Sequence, residues 1–248
     1  MSVAADKQFE SQLENFRHES SAVAKFVYAE MAIQHAASKS RRLLNRLNDN
    51  PEFWLTCEAA LQSSAYISLG RIFDTGSRFN INGLMDSMQN QLEIFQRPAL
   101  SARKWNGGGT RPEWLDEYLD EAHYPNQRDV DRIRAQVQKY REIFDRAIKP
   151  PRNKYLAHRE KRDRSDVQTL FGAGKISELW RLTSFLVSLE QGLWNQLYNG
   201  QKISFRQSRY SINSIFENAN RSSSRPQERI VAELKAILAL IESSGPQR

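Results

Sequence analysis

The chain has 248 residues, 40% of them hydrophobic, and a formal net charge of +7. This length and apolar content allow one large domain or two small ones to bury a core without disulfides or metals. The single cysteine, Cys57, excludes an internal disulfide, and no Cys and His residues stand at zinc spacing, so we expect a reducing compartment, no metal and no other cofactor.

The sequence contains no pattern of a targeting or membrane-spanning segment. The first seven residues lack a basic region followed by an apolar core, and nowhere do eighteen apolar residues run together. We therefore expect a soluble, cytoplasmic protein that has no membrane partner. The positive charge permits an anionic partner such as RNA but is also common in proteins without one.

The N-terminal part of the chain predicts two amphipathic helices that both contribute to a core. From residue 6 to about residue 47, apolar side chains recur at intervals of three, four and seven, which is the spacing of one buried helical stripe. An interruption follows, in which Asn50 is placed to cap a second helix and Pro51 to occupy its first position. We expect the second helix to end with Arg71-Ile-Phe-Asp74.

Arg71 and Asp74 stand three residues apart near that end, where their side chains can meet on one face of the helix. An ion pair within the helix is one interpretation. The alternative is that Asp74 orients a basic group of an active site.

The middle of the chain is less regular. A shorter helix is expected after the second one, with Asn80 or Asn82 as its cap. Residues 99–128 contain three consecutive glycines, Gly107 to Gly109, and two prolines, so we predict a long irregular insertion there. Neither Gly-Lys-Ser/Thr nor a preceding strand accompanies the glycines, and a phosphate-binding P-loop is therefore not indicated.

Three more helices complete an all-α fold. One begins near Asp129 and is ended or kinked by Pro150 and Pro151, after which the chain can restart as a new helical segment. A strongly apolar helix over about 176–198 is expected at the centre of the bundle. A polar tract and a last helix over about 226–241 follow. We predict one helical bundle over 1–200, with 201–248 packed on the same domain.

The most distinctive chemistry lies between Lys149 and Arg164. These sixteen residues carry seven of the 36 Lys and Arg side chains against two acids, a local balance of +5. Arg152 and His158 are separated by five residues. A histidine with a pKa of roughly 6.5 exchanges a proton near neutral pH, and a guanidinium holds phosphate through two parallel hydrogen bonds. The pair suits metal-independent RNA cleavage by the substrate's own 2′-hydroxyl.

The spacing of the two residues raises a geometric question. A helix turns about 100° per residue, so positions six apart do not share a face of a straight helix. Either the proline kink redirects Arg152 or a second chain completes the site. We therefore expect a homodimer with a composite active site.

Arg152-Asn-Lys-Tyr-Leu-Ala-His158 resembles the arginine, polar residue, spacer and histidine signature of HEPN-domain proteins. Gly70-Arg-Ile-Phe-Asp74 and Tyr155-Leu-Ala-His-Arg159 are similar to the branch related to the abortive-infection protein AbiU, over roughly 20–165. The resemblance implies a HEPN-like helical bundle that dimerises around its motifs. It also implies, as in many members, an endoribonuclease of a defence or toxin type, for which an antitoxin protein is a further candidate partner.

By the same resemblance, Arg152 contacts phosphate, His158 transfers a proton or positions the 2′-hydroxyl, and Asn153 orients them, with Asp74 in support. Further RNA contacts are expected from neighbouring side chains: Lys154, Tyr155, Arg159 and Arg162. The sequence leaves open a non-catalytic helical module that binds RNA, a nucleotide or a protein partner, and a purely structural role in which His158 packs near a helix end.

Overall fold

The computed structural model describes residues 3–105, 109–153, 176–205 and 211–244. All regular secondary structure in these residues is helical, which confirms the all-α, HEPN-like fold class. The helices are α1 (Val3–Lys39), α2 (Arg41–Asn48), α3 (Pro51–Phe73), α4 (Ile81–Asn90), α5 (Arg97–Lys104), α6 (Trp114–Glu121), α7 (Gln127–Ala147), α8 (Lys149–Pro151), α9 (Ile176–Asn199), α10 (Ile212–Asn218) and α11 (Pro226–Ser243), with a 3-10 turn at Leu92–Phe95.

Ser40 divides the predicted first helix into α1 and α2. Its backbone is extended, and its hydroxyl oxygen accepts a hydrogen bond from the Leu43 N–H at 3.1 Å, which caps α2. The same hydroxyl donates to the carboxylate of Glu242 in α11. The prediction of one continuous helix to residue 47 is therefore wrong at Ser40, where one extended residue separates α1 from α2.

The predicted bounds of α3 are confirmed. Pro51 is its first residue and Asn50 occupies the N-cap position, although the Asn50 side chain makes no capping hydrogen bond to the described residues. At the other end, the Asp74 N–H donates to the Gly70 carbonyl at 2.8 Å, and the backbone of Asp74 then becomes extended. Asp74 therefore lies directly after the last residue of the helix.

The main core is formed by the apolar faces of α1, α3, α4, α7 and α9. The centre of α9 contributes Leu182, Leu186, Leu189 and Leu193, which are all fully buried, as expected of a central helix. Aromatic rings join neighbouring helices in this core. The Phe73 ring of α3 stacks on that of Phe144 of α7 with centroids 5.1 Å apart, which fixes the end of α3 against α7.

Two short helices lie within the stretch predicted to be irregular. Most of α5 and all of α6 fall between 99 and 128, and Leu100, Leu115 and Leu119 bury their side chains in a small separate cluster. Helix α6 forms there because its apolar residues are four apart and therefore share one face. The prolines in this stretch delimit short helices rather than prevent them.

The C-terminal helix α11 packs along α1. Leu238 joins Ile33 and Leu43 in one buried cluster, and Val231 joins Tyr28 in another. In the described ranges, every helix is too short or too polar to cross a lipid bilayer.

Candidate functional site

The break between α7 and α8 places Arg152 beside the end of α3. Helix α7 ends at Ala147, and α8 is a single turn that contains both prolines of the predicted kink. The Arg152 N–H donates to the Ile148 carbonyl at 3.1 Å, and Pro151 is buried. The predicted break before Arg152 is confirmed, because proline cannot donate the backbone hydrogen bonds that would continue α7.

Arg152 is held by three neighbours. Its Nη1 donates to a carboxylate oxygen of Asp74, and the two side chains are only 18% and 27% exposed. The Asn153 Oδ1 accepts from Nε and Nη2 of Arg152 at 3.1 Å and 2.8 Å. The guanidinium carbon also lies 6.0 Å from the centre of the Phe144 ring. Charge-assisted bonds of this kind fix the orientation of the guanidinium.

Asp74 has a different partner from the one that sequence spacing suggested. Arg71 pairs with Glu19 of α1 at 3.1 Å, and Asp74 pairs with Arg152, so two ion pairs between helices replace the predicted pair within α3. Asp74 thus contacts a basic residue of the predicted site, as the alternative interpretation requires.

Gly70 also belongs to this site, although the sequence did not predict a role for it there. A Cβ atom at this position would overlap Nη1 of Arg152 and lie 2.8 Å from its Cζ, so the guanidinium lies directly against the backbone of α3. Glycine inside a helix costs about 1 kcal/mol relative to alanine. An unfavourable glycine one helical turn before Asp74 was the feature of the sequence that could have indicated a close contact at this position.

These residues form one wall of an open cavity of about 650 Å³, here called the Arg152 cleft. Among the described residues, four cationic side chains line it, namely Arg71, Arg141, Lys149 and Arg152, against one carboxylate, that of Asp74. Its volume is in the range of small-molecule and nucleotide sites. The cleft therefore presents a positive surface around the fixed guanidinium.

The four cationic side chains differ in how firmly other residues of the protein hold them. Arg141 donates to the Phe73 carbonyl at 2.6 Å and to the Asn82 Oδ1 at 2.8 Å, and so ties α7 to α3 and α4. Lys149 pairs with Asp145 at 3.0 Å on the surface of the protein. Exposed pairs such as Lys149–Asp145 and Arg71–Glu19 contribute little and exchange readily for an anionic ligand.

The loop after Asp74 is fixed by Asn80. As predicted, Asn80 caps α4, where its Oδ1 accepts from the N–H groups of Asn82 and Gly83 at 3.0 Å and 3.1 Å. Its Nδ2 donates back to the Ser77 carbonyl at 2.6 Å. Asn80 therefore fixes the loop that lines the cleft after Asp74.

The structure brings together Asp74, Arg152 and Asn153 of the predicted site. His158 lies outside the described residues, as do the predicted RNA contacts: Lys154, Tyr155, Arg159 and Arg162. Within the described ranges, no group of three or more His, Cys, Asp or Glu side chains is placed to hold a metal ion.

A comparison with protein-family models matches residues 6–220 to the model named HEPN AbiU2 and described as AbiU2. The match includes Gly70, Asp74 and the whole motif from Arg152 to His158, and it is longer than the stretch over which the resemblance was expected. Searches of curated proteins and of solved structures gave no match.

Proposed function

Since the chain belongs to the AbiU2 family of HEPN proteins, we propose that it is an endoribonuclease of a defence or toxin type that cleaves RNA through the substrate's 2′-hydroxyl. The observation that carries this proposal is the Arg152 guanidinium, fixed by Asp74 and Asn153 in a cleft lined by cations. An oriented guanidinium in a positive cleft is suited to the phosphate of a polynucleotide.

Arg152 is the phosphate-binding residue in this proposal. Its contacts to Asp74 and Asn153 use three of the five N–H donors of the guanidinium. The remaining donors bind a phosphate oxygen and stabilise the charge that builds on it as the 2′-oxygen attacks. Because the donors are already oriented, this stabilisation requires little reorganisation in the transition state.

His158 is the proton-transfer residue. The 2′-oxygen attacks phosphorus and loses its proton, the bond from phosphorus to the 5′-oxygen breaks, and that oxygen gains a proton. The products are a cyclic phosphate and a 5′-hydroxyl, so deoxyribose at the cleavage site cannot react. A histidine performs either proton transfer near neutral pH. Further phosphate contacts come from Lys154, Tyr155, Arg159 and Arg162.

The direct test is cleavage of several RNAs by the wild-type protein and by His158→Ala and Arg152→Ala. Each variant is expected to lose about a hundredfold or more in rate, which is the usual range for a proton-transfer or charge-stabilising group. Arg128→Ala is the matched control, since Arg128 is exposed at the opposite end of α7. Product analysis should find cyclic phosphate ends, and an RNA with deoxyribose at the cleaved position should remain intact.

Equal cleavage by wild type and His158→Ala would exclude the catalytic assignment. The cations of the Arg152 cleft also support a second candidate, a module that binds RNA without cleaving it. That module would bind RNA with an affinity that falls steeply with salt, as phosphate contacts require, and would form no product.

We also propose that the active site is composite, with Arg152 of one protomer acting beside His158 of the other. Mixing the inactive variants Arg152→Ala and His158→Ala should then restore part of the activity, because a mixed dimer has one site with both residues intact. Light scattering should show a dimer at micromolar concentration. A monomer in solution, or mixed variants that remain inactive, would contradict the composite site.

A further inference from the structure

A second cavity lies in another part of the bundle, among α1, α2 and the first half of α3. Its volume is about 410 Å³, and none of its lining residues lines the Arg152 cleft. Among the described residues, one charged side chain lines it, that of Glu58. Most of the other lining side chains are apolar, and they include Ile33, Ala37, Leu44, Leu47, Trp54 and Leu55. This α1–α3 cavity therefore combines an apolar wall with one acid, in a chain whose net charge is +7.

Part of the apolar wall is open to solvent. Leu44 of α2 is 42% exposed and Leu55 of α3 is 64% exposed, although both line the cavity. Phe53 is also exposed, and its ring meets the Trp54 indole edge-on with centroids 5.2 Å apart. Exposed apolar side chains that surround a concave site are typical of ligand-binding surfaces. An occupant of the cavity would remove Leu44 and Leu55 from water.

Two carboxylates indicate the charge of that occupant. Glu58 is half-buried, and its carboxylate has no hydrogen bond or ion pair with any residue that the structure describes. Glu30 is buried in α1 and also lacks such a partner, and the charge that acts on it most is that of Glu58. Glu30 lies one helical turn before Gln34, which lines the cavity. Buried charges are normally paired, so the two acids together attract a cation into the cavity.

Trp54 adds a surface that suits a cation. Trp54 and Glu58 are four residues apart on α3 and are therefore neighbours on the helix surface. The indole packs against the buried cluster that contains Leu43 and Leu47, which holds it in place. The face of an indole attracts a cation, and a carboxylate forms charge-assisted hydrogen bonds with an ammonium group. Both interactions are stronger at a half-buried site than in bulk water.

We propose that the α1–α3 cavity binds a small amine with an apolar body, whose ammonium group lies between the Glu58 carboxylate and the Trp54 indole. The apolar body packs on three leucines of the wall: Leu44, Leu47 and Leu55. The volume of the cavity is in the range of small-molecule sites, and a neutral or anionic ligand would leave Glu58 without a compensating charge. This site is separate from the Arg152 cleft and does not depend on nuclease activity.

The test is calorimetric titration of the full chain at pH 8 with 2-phenylethylamine, 2-phenylethanol and ethylamine. At this pH the two amines are protonated, as a lysine side chain is. The 2-phenylethylamine should bind with about millimolar affinity or tighter, as expected for so small a ligand. The alcohol has the same apolar body without the charge and should bind about tenfold more weakly. Ethylamine keeps the charge without the ring and should also bind more weakly than 2-phenylethylamine.

Three substitutions locate the site. Glu58→Gln should weaken the amine about tenfold and leave the alcohol unchanged, because only the charged ligand loses a hydrogen bond to a charged acceptor. Glu117→Gln removes the same charge from an exposed position on α6 and should leave both affinities unchanged. Leu55 is exposed, so Leu55→Ala keeps the fold and should weaken the amine and the alcohol alike. Circular dichroism and thermal unfolding verify that each variant is folded.

Failure of 2-phenylethylamine to bind at millimolar concentration would overturn the proposal. Equal affinity for the amine and the alcohol, or equal affinity of the amine for Glu58→Gln and Glu117→Gln, would also overturn it. A lysine side chain of a partner protein carries the same ammonium group, and N-acetyl-lysine amide represents that source. Weaker binding of the lysine derivative than of 2-phenylethylamine supports a free amine, whereas equal or tighter binding would contradict it. All of these results are independent of whether the protein cleaves RNA.

Discussion

Asp74 and Glu30 are acidic residues of the same helical bundle with opposite surroundings. Asp74, at the end of α3, contacts the guanidinium of Arg152. Glu30, in α1, is 8% exposed, and the charge that affects it most is another carboxylate, Glu58 of α3. Burial first and Glu58 second raise the pKa of Glu30 to about 7. The carboxylate of Asp74 is thus balanced by a neighbouring cation, whereas the surroundings of Glu30 favour its neutral, protonated form.

Further acidic groups lie near Glu30 in α3. Burial also raises the pKa of Glu58. In α3, burial and the charge of Glu30 raise the pKa of Tyr66 to about 12, to which Glu178 of α9 contributes. The interface of α1 and α3 is therefore most stable with Glu30 protonated, whereas Asp74 faces the cation of Arg152. The following predictions test that contrast, from the largest effect to the smallest.

The largest effect is expected from Glu30→Gln on stability. Between pH 4.5 and about 7 the native protein holds a proton on Glu30 that the unfolded chain releases, so the free energy of unfolding falls as pH rises through that range. The total loss is about 3 kcal/mol, from the size of the pKa shift. Glu30→Gln should therefore unfold at higher denaturant concentration than wild type at pH 8 and match it near pH 4.5.

Urea unfolding at the two pH values measures this effect. Glu117→Gln, an exposed substitution of the same kind on α6, should leave the wild-type pH dependence unchanged. Glu58→Gln should lower the pKa of Glu30 by removing the like charge, and so give part of the same stabilisation. A Glu30→Gln variant that still loses stability as strongly as wild type between pH 5 and pH 8 would contradict the protonated Glu30.

The next effect is that of Gly70→Ala on cleavage. The added Cβ would overlap Nη1 of Arg152, so the guanidinium must move away from its position between Asp74 and Asn153. A misplacement of about 1 Å in a catalytic group can cost roughly a hundredfold in rate. Stability should change by less than about 1 kcal/mol, because alanine favours the helix and the displaced group is a flexible side-chain end.

Gly83→Ala is the matched control for this substitution. A Cβ at Gly83 of α4 would meet no atom within 4 Å, so the rate should stay near wild type and stability should rise by at most about 1 kcal/mol. Gly70→Ala with wild-type cleavage, in a protein whose Arg152→Ala variant is inactive, would show that the position of the guanidinium against α3 is unimportant. The comparison therefore tests orientation separately from the presence of the charge.

The features that were predictable from the sequence are local. Pro51 begins α3 and the pair Pro150–Pro151 ends α7 because proline acts on its own turn, and Asn80 caps α4 through N–H groups two and three residues ahead. Each of these interactions is contained in a few consecutive residues. They place the ends of α3 and α7, and thereby the region in which the site forms.

The features that were missed depend on residues far apart in the chain. The break at Ser40 is accompanied by a hydrogen bond to Glu242, 202 residues away. The spacing of Arg71 and Asp74 suggested a local pair, but the packing of α3 on α1 gives Arg71 a partner in Glu19, and Arg152, directly after α8, pairs with Asp74. Gly70 has meaning only once the Arg152 guanidinium is known to lie against it. Residues that are distant in the sequence contribute to all three.

The smallest effect is expected from Asp74→Asn, which removes the charge from the site while keeping an oxygen that accepts from Arg152. A neutral acceptor is weaker by about the 1.4 kcal/mol that corresponds to tenfold, so kcat for cleavage should fall about tenfold. KM should stay the same or fall, because the cleft becomes more positive. Asp145→Asn makes the same change at the exposed partner of Lys149 and should leave kcat unaltered. Equal kcat in the two variants, or a raised KM alone, would exclude a role for Asp74 in cleavage.

Asp74→Asn and Glu30→Gln make the same chemical change, the replacement of a carboxylate by an amide. A loss of activity in the first variant and a gain of stability in the second would follow from the presence or absence of a facing cation.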